Sequence, residues 1–433
     1  MIHPIENEMT TRTVDDLIGQ GRAARRAARQ LARLTGAVKN RVLHNLAGLL
    51  ESDTGELLQA NAEDCAEARA NGLSEAMIDR LLLTPERLQG TAAEQRKVAS
   101  LPDPVGETID MTNLPNGMTI GRRRIPLGVI ASIYESRPNV TVDIFGLCFK
   151  SGNACILRGG KEALRSNTAL IGLIRRALSD AGAPVEAAQF VDNPARELVD
   201  AMLKMNQYID LIVPRGGDGL VRFVGENATM PAVTGGVGVC HTYVDRAADL
   251  EMAAEVILNA KVRRPYICNA LDTLLVHSAV AGEGLPRIAA GLTSSGVELR
   301  CDNRALSILG PGTGGNVQPA DEADWGREFL SMAAAVKVVD SLDEALEHIE
   351  TYGSGHSEAI ITGDYPAAMR FLDEVDAAAV YVNASTQFTD GCQFGLGAEV
   401  GISTQKMHAR GPMGLRELTS YKWVIMGNGQ TRP

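Results

Sequence analysis

GVIASIYESRPNVTVDIFGLCFKSGNACILRGGKEA, residues 128–163, opens and closes its first half with apolar runs. Gly128–Tyr134 is apolar almost throughout, as expected of a parallel strand covered on both faces; a strand with one wet face alternates instead. Ala154–Leu157 is a second such run. The turn Arg158-Gly159-Gly160-Lys161 follows it, where a strand ends and a helical stretch begins. Glycines there let backbone approach a ligand, and Arg158 and Lys161 can hold a phosphate. The same turn also has a purely structural reading.

Working outward, Phe190–Val191, Ile209–Val213 and Thr242–Val244 are further short strand candidates, separated by helical stretches near 161–181, 194–206 and 246–260. This alternation predicts a doubly wound parallel sheet. A second series follows residue 268: strands at Thr273–Val276, Leu306–Leu309, Ala335–Val339, Ala359–Thr362 and Ala378–Val382, with helices near 284–293, 342–351 and 365–374. Residues 13–100 read as helices. Thr13 and Asp16 have capping-box spacing, and Leu17, Ala24, Ala28 and Leu31 recur at helical spacing. Arg22, Arg25, Arg26, Arg29 and Arg33 fall on another face, read as solvated. Residues 108–127 alternate around Pro115-Asn116-Gly117, a hairpin signal. The tail alternates again over Leu418–Met426 and is expected to pair with that hairpin.

The chain has 433 residues, enough for two or three domains. Hydrophobic residues make up 45% and charged residues 22%, the mix of a globular protein. The net charge of −11 argues against nucleic acid or an anionic membrane as partner. Seven scattered cysteines without a CxxC pair predict free thiols in a reducing compartment. No basic and apolar leader is read at MIHPIENEMTTRTVDD, and no apolar run is long enough to span a bilayer, so a cytoplasmic location is expected. The histidines lack metal-ligand spacing, and no metal is expected. No GxGxxG follows the first strand, and no Walker A sequence is present.

RRPYICNALDTLLVH, residues 263–277, sets Cys268 after two arginines and before an apolar strand. Nearby cationic charge favours a thiolate, and a thiolate at the lip of a strand can attack a carbonyl and carry the acyl group as a thioester. The alternative is a small buried hydrophobe.

Several segments together resemble the aldehyde dehydrogenase superfamily. Residues 128–163 are similar to its strand–loop–helix–strand segment, and the Cys268 segment to its nucleophile segment. Trp325-Gly326-Arg327-Glu328-Phe329, with the strand after it, resembles its glutamate-phenylalanine cofactor segment. YGSGHSEAIIT (352–362), YVNAS (381–385) and GPMGLRELTSYKW (411–423) complete the order. YESRPNVTVD, NACILRGGKEA, VTGGVGVCHTYVD and ICNALDTLLVH are closer still to one branch, which reduces L-glutamate 5-phosphate to L-glutamate 5-semialdehyde in proline synthesis. The likeness runs from about residue 13 to 427.

The resemblance implies an α/β, aldehyde-dehydrogenase-like fold. A Rossmann-like cofactor domain would take 1–107 and 128–262, an α/β catalytic domain 263–394, and a small β oligomerisation element 108–127 and 395–433. It implies Cys268 as nucleophile, with its backbone N–H and the Asn139 side chain as oxyanion donors. A turn residue after Pro138 is the other reading of Asn139. It implies NADP(H) as cofactor, held by Arg158, Gly159, Gly160, Lys161 and Glu328. Arg137, Arg263 and Arg264 are the basic residues nearest the implied chemistry, and arginine suits anion recognition. A homo-oligomer is implied. So is a hand-off of the labile acyl phosphate from gamma-glutamyl kinase, although no residue of this chain points to it. One departure carries chemistry. Ordinary members hydrolyse the thioester with a glutamate in a Glu-Leu-Gly-Gly run, and this chain has Val233-Thr234-Gly235-Gly236 there. Losing that base suits a reductase that must not leak its acyl group to water. Two alternatives stay open: an oxidative dehydrogenase of another semialdehyde, and a non-catalytic nucleotide-binding relative.

Overall fold

The structure, a computed structural model, describes residues 13–235, 237–310 and 316–432. It divides into two compact units, one running to Thr234 with Leu396–Val400 and the segment from Met413 onward, the other holding Gly235–Gly395 and Gly401–Pro412. The boundary therefore falls at 234/235, not at the 262/263 expected from the sequence, and the hairpin clusters with the first unit instead of standing apart.

The first unit begins with five helices between Val14 and Ser100. Thr13 and Asp16 form the expected capping box. The arginine face is only partly solvated. Arg25 is half-buried and grips Asp210, whose Oδ2 also accepts the Val129 N–H at 2.8 Å. One arginine thus ties the first helix to the start of a strand. The strands are β1 (Thr108–Asn113), β2 (Thr119–Pro126), β3 (Val129–Tyr134), β4 (Ala154–Arg158), β5 (Ala188–Phe190) and β6 (Leu211–Arg215). β5-β4-β3-β6 make a four-stranded parallel sheet. All six residues of β3 are buried, as its apolar run predicts. Each buried Val or Ile there contributes about 1.5–3 kcal/mol. β1 and β2 form the predicted hairpin, with Gly117 in its turn at φ +85°, and the tail strand Thr419–Met426 pairs antiparallel with β2.

The second unit is built on a seven-stranded parallel sheet. Its strands are β7 (Cys240–Val244), β8 (Leu271–His277), β9 (Glu298–Cys301), β10 (Val317–Pro319), β11 (Ala333–Val339), β12 (Ser357–Ile361) and β13 (Ala379–Val382). Their order is β10-β9-β11-β8-β7-β12-β13. β7 was expected in the first sheet; it lies between β8 and β12 in the second. Leu306–Leu309 was expected as a strand and belongs to the helix Asn303–Leu309. Asp302 caps that helix by accepting the Ala305 N–H at 2.7 Å, and the strand of this region is β9, just before the cap. The core lies between the sheet and its helices, with Leu271, Leu274 and Val276 of β8 fully buried. Among the described residues, no helix is long and apolar enough to cross a membrane.

Candidate active site

The helix Leu250–Val262 ends in an irregular turn that delivers Cys268 just before β8. The turn is clamped by segment 385–389. Asn269 Nδ2 donates to the Thr389 carbonyl at 2.9 Å, and Thr386 Oγ1 donates to the Asn269 carbonyl at 2.7 Å. Gln387 Nε2 donates to the Ala260 carbonyl at 2.8 Å. Cys268 is half-buried, whereas Cys65, Cys148, Cys155, Cys240 and Cys301 are buried. Exposure and a fixed backbone are what a sulfur needs if it is to meet a substrate in one geometry.

A second segment presses on this turn from behind. A side chain at Gly238 would put its Cβ 1.6 Å from the Cys268 carbonyl oxygen, so only glycine fits. Two residues on, Cys240 is fully buried, and its Sγ–H donates to that same oxygen at 3.2 Å. Burial pushes the Cys240 thiol well above the usual range.

Glu328 is brought to this place. Its Oε1 accepts the Gly238 N–H at 3.0 Å. The neighbouring Phe329 N–H donates to Asp272 Oδ1 at 3.0 Å, and Asp272 also accepts from the Cys240 N–H. Asp272 is 2% exposed, and burial raises its carboxyl to about 6, opposed by Lys261. The Lys261 ammonium lies 3.7 Å from it and is lowered by burial. One buried carboxylate of β8 thus fixes both the glutamate segment and the start of β7 around the turn. Sequence reasoning gave Asp272 and Gly238 no role. The signal for Gly238 lies in VTGGVGVCHTYVD, whose glycine-rich lead into a strand marks close backbone approach.

Of the two arginines beside Cys268, Arg263 donates from Nη1 to Gln387 Oε1 at 3.0 Å and so helps hold the clamp. Arg264 is exposed. His356, another residue without a sequence-derived role, is 1% exposed, with Nδ1 at 3.9 Å from Cys240 Sγ and 2.8 Å from Ser357 Oγ. Burial lowers its pKa to about 4, so it is neutral near pH 7. Where a hydrolytic glutamate is absent, Val233 is 5% exposed, and Gly235 has no room for a side chain beside Ile402 and Ser403. Gly236 lies outside the described residues. No group of three or more His, Cys, Asp or Glu side chains among the described residues is arranged to hold a metal ion.

The other expected residues belong to the first unit. Arg158 ends β4, and its Nη2 donates to the Pro194 carbonyl at 2.9 Å while its buried Nε has no partner. Burial lowers the guanidinium pKa, with Glu162 and Glu135 opposing. Gly159 packs on Asn167 and Tyr134, and Gly160 on Glu162, so a Cβ on either would collide. Lys161 is exposed at the start of the next helical turn. Glu162 Oε1 accepts from Ser136 N at 2.8 Å and Ser136 Oγ at 3.0 Å. Asn139 opens the helix Asn139–Lys150 and donates from Nδ2 to Asp143 Oδ2 at 2.9 Å. Burial and Glu94 raise the Asp143 carboxyl to about 7. Arg137 is exposed on the loop before it. These groups follow the carboxyl ends of β3 and β4, the side of a parallel sheet where ligands bind.

The sequence matches the family model described as "Aldehyde dehydrogenase family" over residues 7–311. It is similar to the gamma-glutamyl phosphate reductase of Dehalococcoides mccartyi, 56% identical over 95% of this chain and 97% of the relative. That of Roseiflexus castenholzii is also 56% identical, over 95% and 98%. The crystal structure of gamma-glutamyl phosphate reductase from Thermotoga maritima superimposes with a TM-score of 0.94 at 47% identity, covering 97% of this chain and all of that one.

Proposed function

The chain belongs to the aldehyde dehydrogenase family, and from that premise we propose that it reduces L-glutamate 5-phosphate to L-glutamate 5-semialdehyde and phosphate, a step of proline biosynthesis, with NADPH as cofactor. The observation that carries this is a half-exposed cysteine on a backbone-clamped turn, in a chain more than half identical to reductases of that name.

The Cys268 thiolate attacks the γ-carbonyl and expels phosphate, leaving a thioester. The Cys268 N–H donates to the oxyanion formed in that step, and Asn139 is the second donor in this reading. Asn139 gives one amide hydrogen to Asp143, which orients the group and leaves the other hydrogen for substrate. A bound dinucleotide would supply a hydride to the thioester carbonyl, and release of the aldehyde would return the Cys268 thiolate. The first unit's residues fit such a ligand. Arg158 has an orphaned Nε, Gly159 and Gly160 bring backbone to the end of β4, and the turn Gly217–Gly219 has open space where side chains would stand. Lys161 is the contact we assign to a 2′-phosphate. Glu328 is assigned to the nicotinamide ribose, and Arg137 and Arg264 to the anionic ends of the substrate. Val233 in place of a carboxylate leaves the thioester without a base to activate water.

We also assign homo-oligomer formation to the ribbon of β1, β2 and the tail strand, where Trp423 is 57% and Ile425 53% exposed. The seven free thiols fit a cytoplasmic, reducing setting. The reverse reaction tests the central reading. Glutamate 5-semialdehyde, phosphate and NADP are supplied together and each is then omitted. NADPH is expected only from the complete mixture. Undiminished oxidation without phosphate would instead favour an ordinary semialdehyde dehydrogenase.

A further inference from the structure

Three arginines of the first unit stand near one another without a carboxylate partner. Arg80 is in the last turn of the helix Glu75–Leu81, Arg137 follows β3, and Arg215 ends β6. None has an ion pair or a side-chain hydrogen bond among the described residues. The chain as a whole carries a net charge of −11, so carboxylates are not scarce.

The fold brings them to one edge of the parallel sheet. Arg215 pairs with Tyr134 across β6 and β3, and its carbonyl accepts the Glu135 N–H at 3.1 Å. Arg137 comes just past Ser136, which takes a left-handed φ of +49° and is held by Glu162. A non-glycine residue persists in that region only where its surroundings over-determine it. The helix of Arg80 packs Ile78 and Leu81 with Ala163, just beyond the end of β4. Desolvation lowers the Arg137 guanidinium, and Arg80 and Arg215 lower it further, so Arg137 lies within reach of both charges. The neighbouring carboxylates are engaged elsewhere. Asp79 bonds Arg87 at 2.6 Å, and Glu135 Oε2 accepts the Gly217 N–H at 3.2 Å. Asp143 holds Asn139. Like charges gathered this way repel, and an anion bound among them offsets that cost.

The place of the cluster selects the anion. Each guanidinium presents a fork of donors that matches phosphate oxygens. The groups assigned above to the dinucleotide follow β4, whereas Arg137 and Arg215 follow β3 and end β6. Burial and Glu94 raise the Asp143 carboxyl, and Asn139 and Arg215 oppose them, so Arg215 acts on the very carboxyl that orients Asn139. In an acyl phosphate one oxygen bridges phosphorus to the carbonyl carbon, so the phosphate lies beside whatever donor meets the carbonyl oxygen. Resting on the reaction and the Asn139 role read above, we propose that Arg80, Arg137 and Arg215 form a phosphate site, which takes the phosphoryl group of the acyl-phosphate substrate and holds the phosphate that the thiolate expels. The S–C bond forms as the C–O bond breaks. The electron pair stays with the leaving oxygen, and a proton from solvent completes hydrogen phosphate. Fixed cations stabilise the charge that grows on that oxygen.

Titration calorimetry of the full chain with inorganic phosphate, at fixed ionic strength, tests the site directly. A saturable isotherm is expected, weakened about tenfold in Arg80→Gln and in Arg137→Gln, since each loses a charge-assisted contact. Both positions are exposed, so both variants should fold. The reverse reaction then identifies which phosphate is held. With semialdehyde and NADP supplied, the same variants should raise the KM for phosphate about tenfold and leave the KM for NADP within about twofold. A raised KM for NADP with an unchanged KM for phosphate would overturn the proposal, because the arginines would then hold the dinucleotide. Absence of a saturable isotherm, or affinity unchanged in both variants, would also overturn it. Phosphate binding that the variants lose, in a wild type that forms no NADPH, would sustain the site and place the failure in the reaction read above.

Discussion

Two cysteines meet in the second unit, and their surroundings could hardly differ more. Cys268 sits on an irregular turn, half-buried, with its backbone held by Asn269, Thr386 and the Cys240 thiol. Cys240 starts a central strand, is wholly enclosed, and has its thiol held protonated by burial. The difference teaches that the fold divides labour between a sulfur that is presented and a sulfur that packs. The second serves the first by fixing the carbonyl of the residue that carries it. Buried thiols are poor nucleophiles because burial disfavours the thiolate.

The most severe way to break this contrast is Cys268→Ser. A hydroxyl cannot replace a thiolate at neutral pH, so kcat for the proposed reduction should fall by about 10³-fold or more, while dinucleotide binding, followed by fluorescence titration, stays intact. Turnover near the wild-type rate would move the chemistry elsewhere. The next largest effect is expected from Gly238→Ala, since its Cβ would stand 1.6 Å from the Cys268 carbonyl. The turn must shift, and misplacement of a reacting group by about 1 Å costs on the order of 10²-fold in rate. Steady-state kinetics should show the loss in kcat, with iodoacetamide labelling of Cys268 altered in parallel.

Much of this contrast was legible in the sequence, but unevenly. The apolar runs of β3, β4, β8 and β11 announced buried parallel strands, and a cysteine between arginines and a strand announced an exposed lip. The partner of β7 was not legible, because a short apolar strand such as CHTYV encodes burial and not which sheet buries it. Leu306–Leu309 misled through its apolar density, although Asp302 three residues before Ala305 was a readable helix cap. Gly238 showed as part of a glycine-rich lead into a strand, but the partner that demands glycine, residue 268, was not legible, because it lies further along the chain. Arg263 read as a binding residue from charge alone, and the sequence did not show that its Nη1 also donates to Gln387.

Acid sharpens the comparison from the Cys240 side. His356 lies beside Cys240, and burial lowers it to about 4 from an ordinary value of 6.5. The unfolded chain therefore binds a proton at a higher pH than the fold does. Stability is fully present above about 6.5 and declines as pH falls towards 4, by roughly 3 kcal/mol for this group. His348, lowered to about 3 by the same cause, adds to the decline. Denaturant melts of wild type and His356→Gln between pH 7 and 4 should converge as the medium becomes acidic. Parallel curves would show that His356 does not titrate with unfolding.

The smallest effect is expected from Cys240→Ala, which asks whether the packed sulfur has any chemistry of its own. The substitution removes one weak hydrogen bond to the Cys268 carbonyl and leaves a small cavity at the head of β7. A loss of about 1–2 kcal/mol in stability follows from those two terms. Asn269 and Thr386 still clamp the turn, so kcat should stay within a few-fold of wild type. Gly238, which bears directly on the same carbonyl, cannot be altered so cheaply, and the unequal cost of these neighbouring changes separates backbone contact from thiol contact. A Cys240→Ala rate as low as that of Cys268→Ser would mean that the two sulfurs act together, and the division between presented and packed would fail.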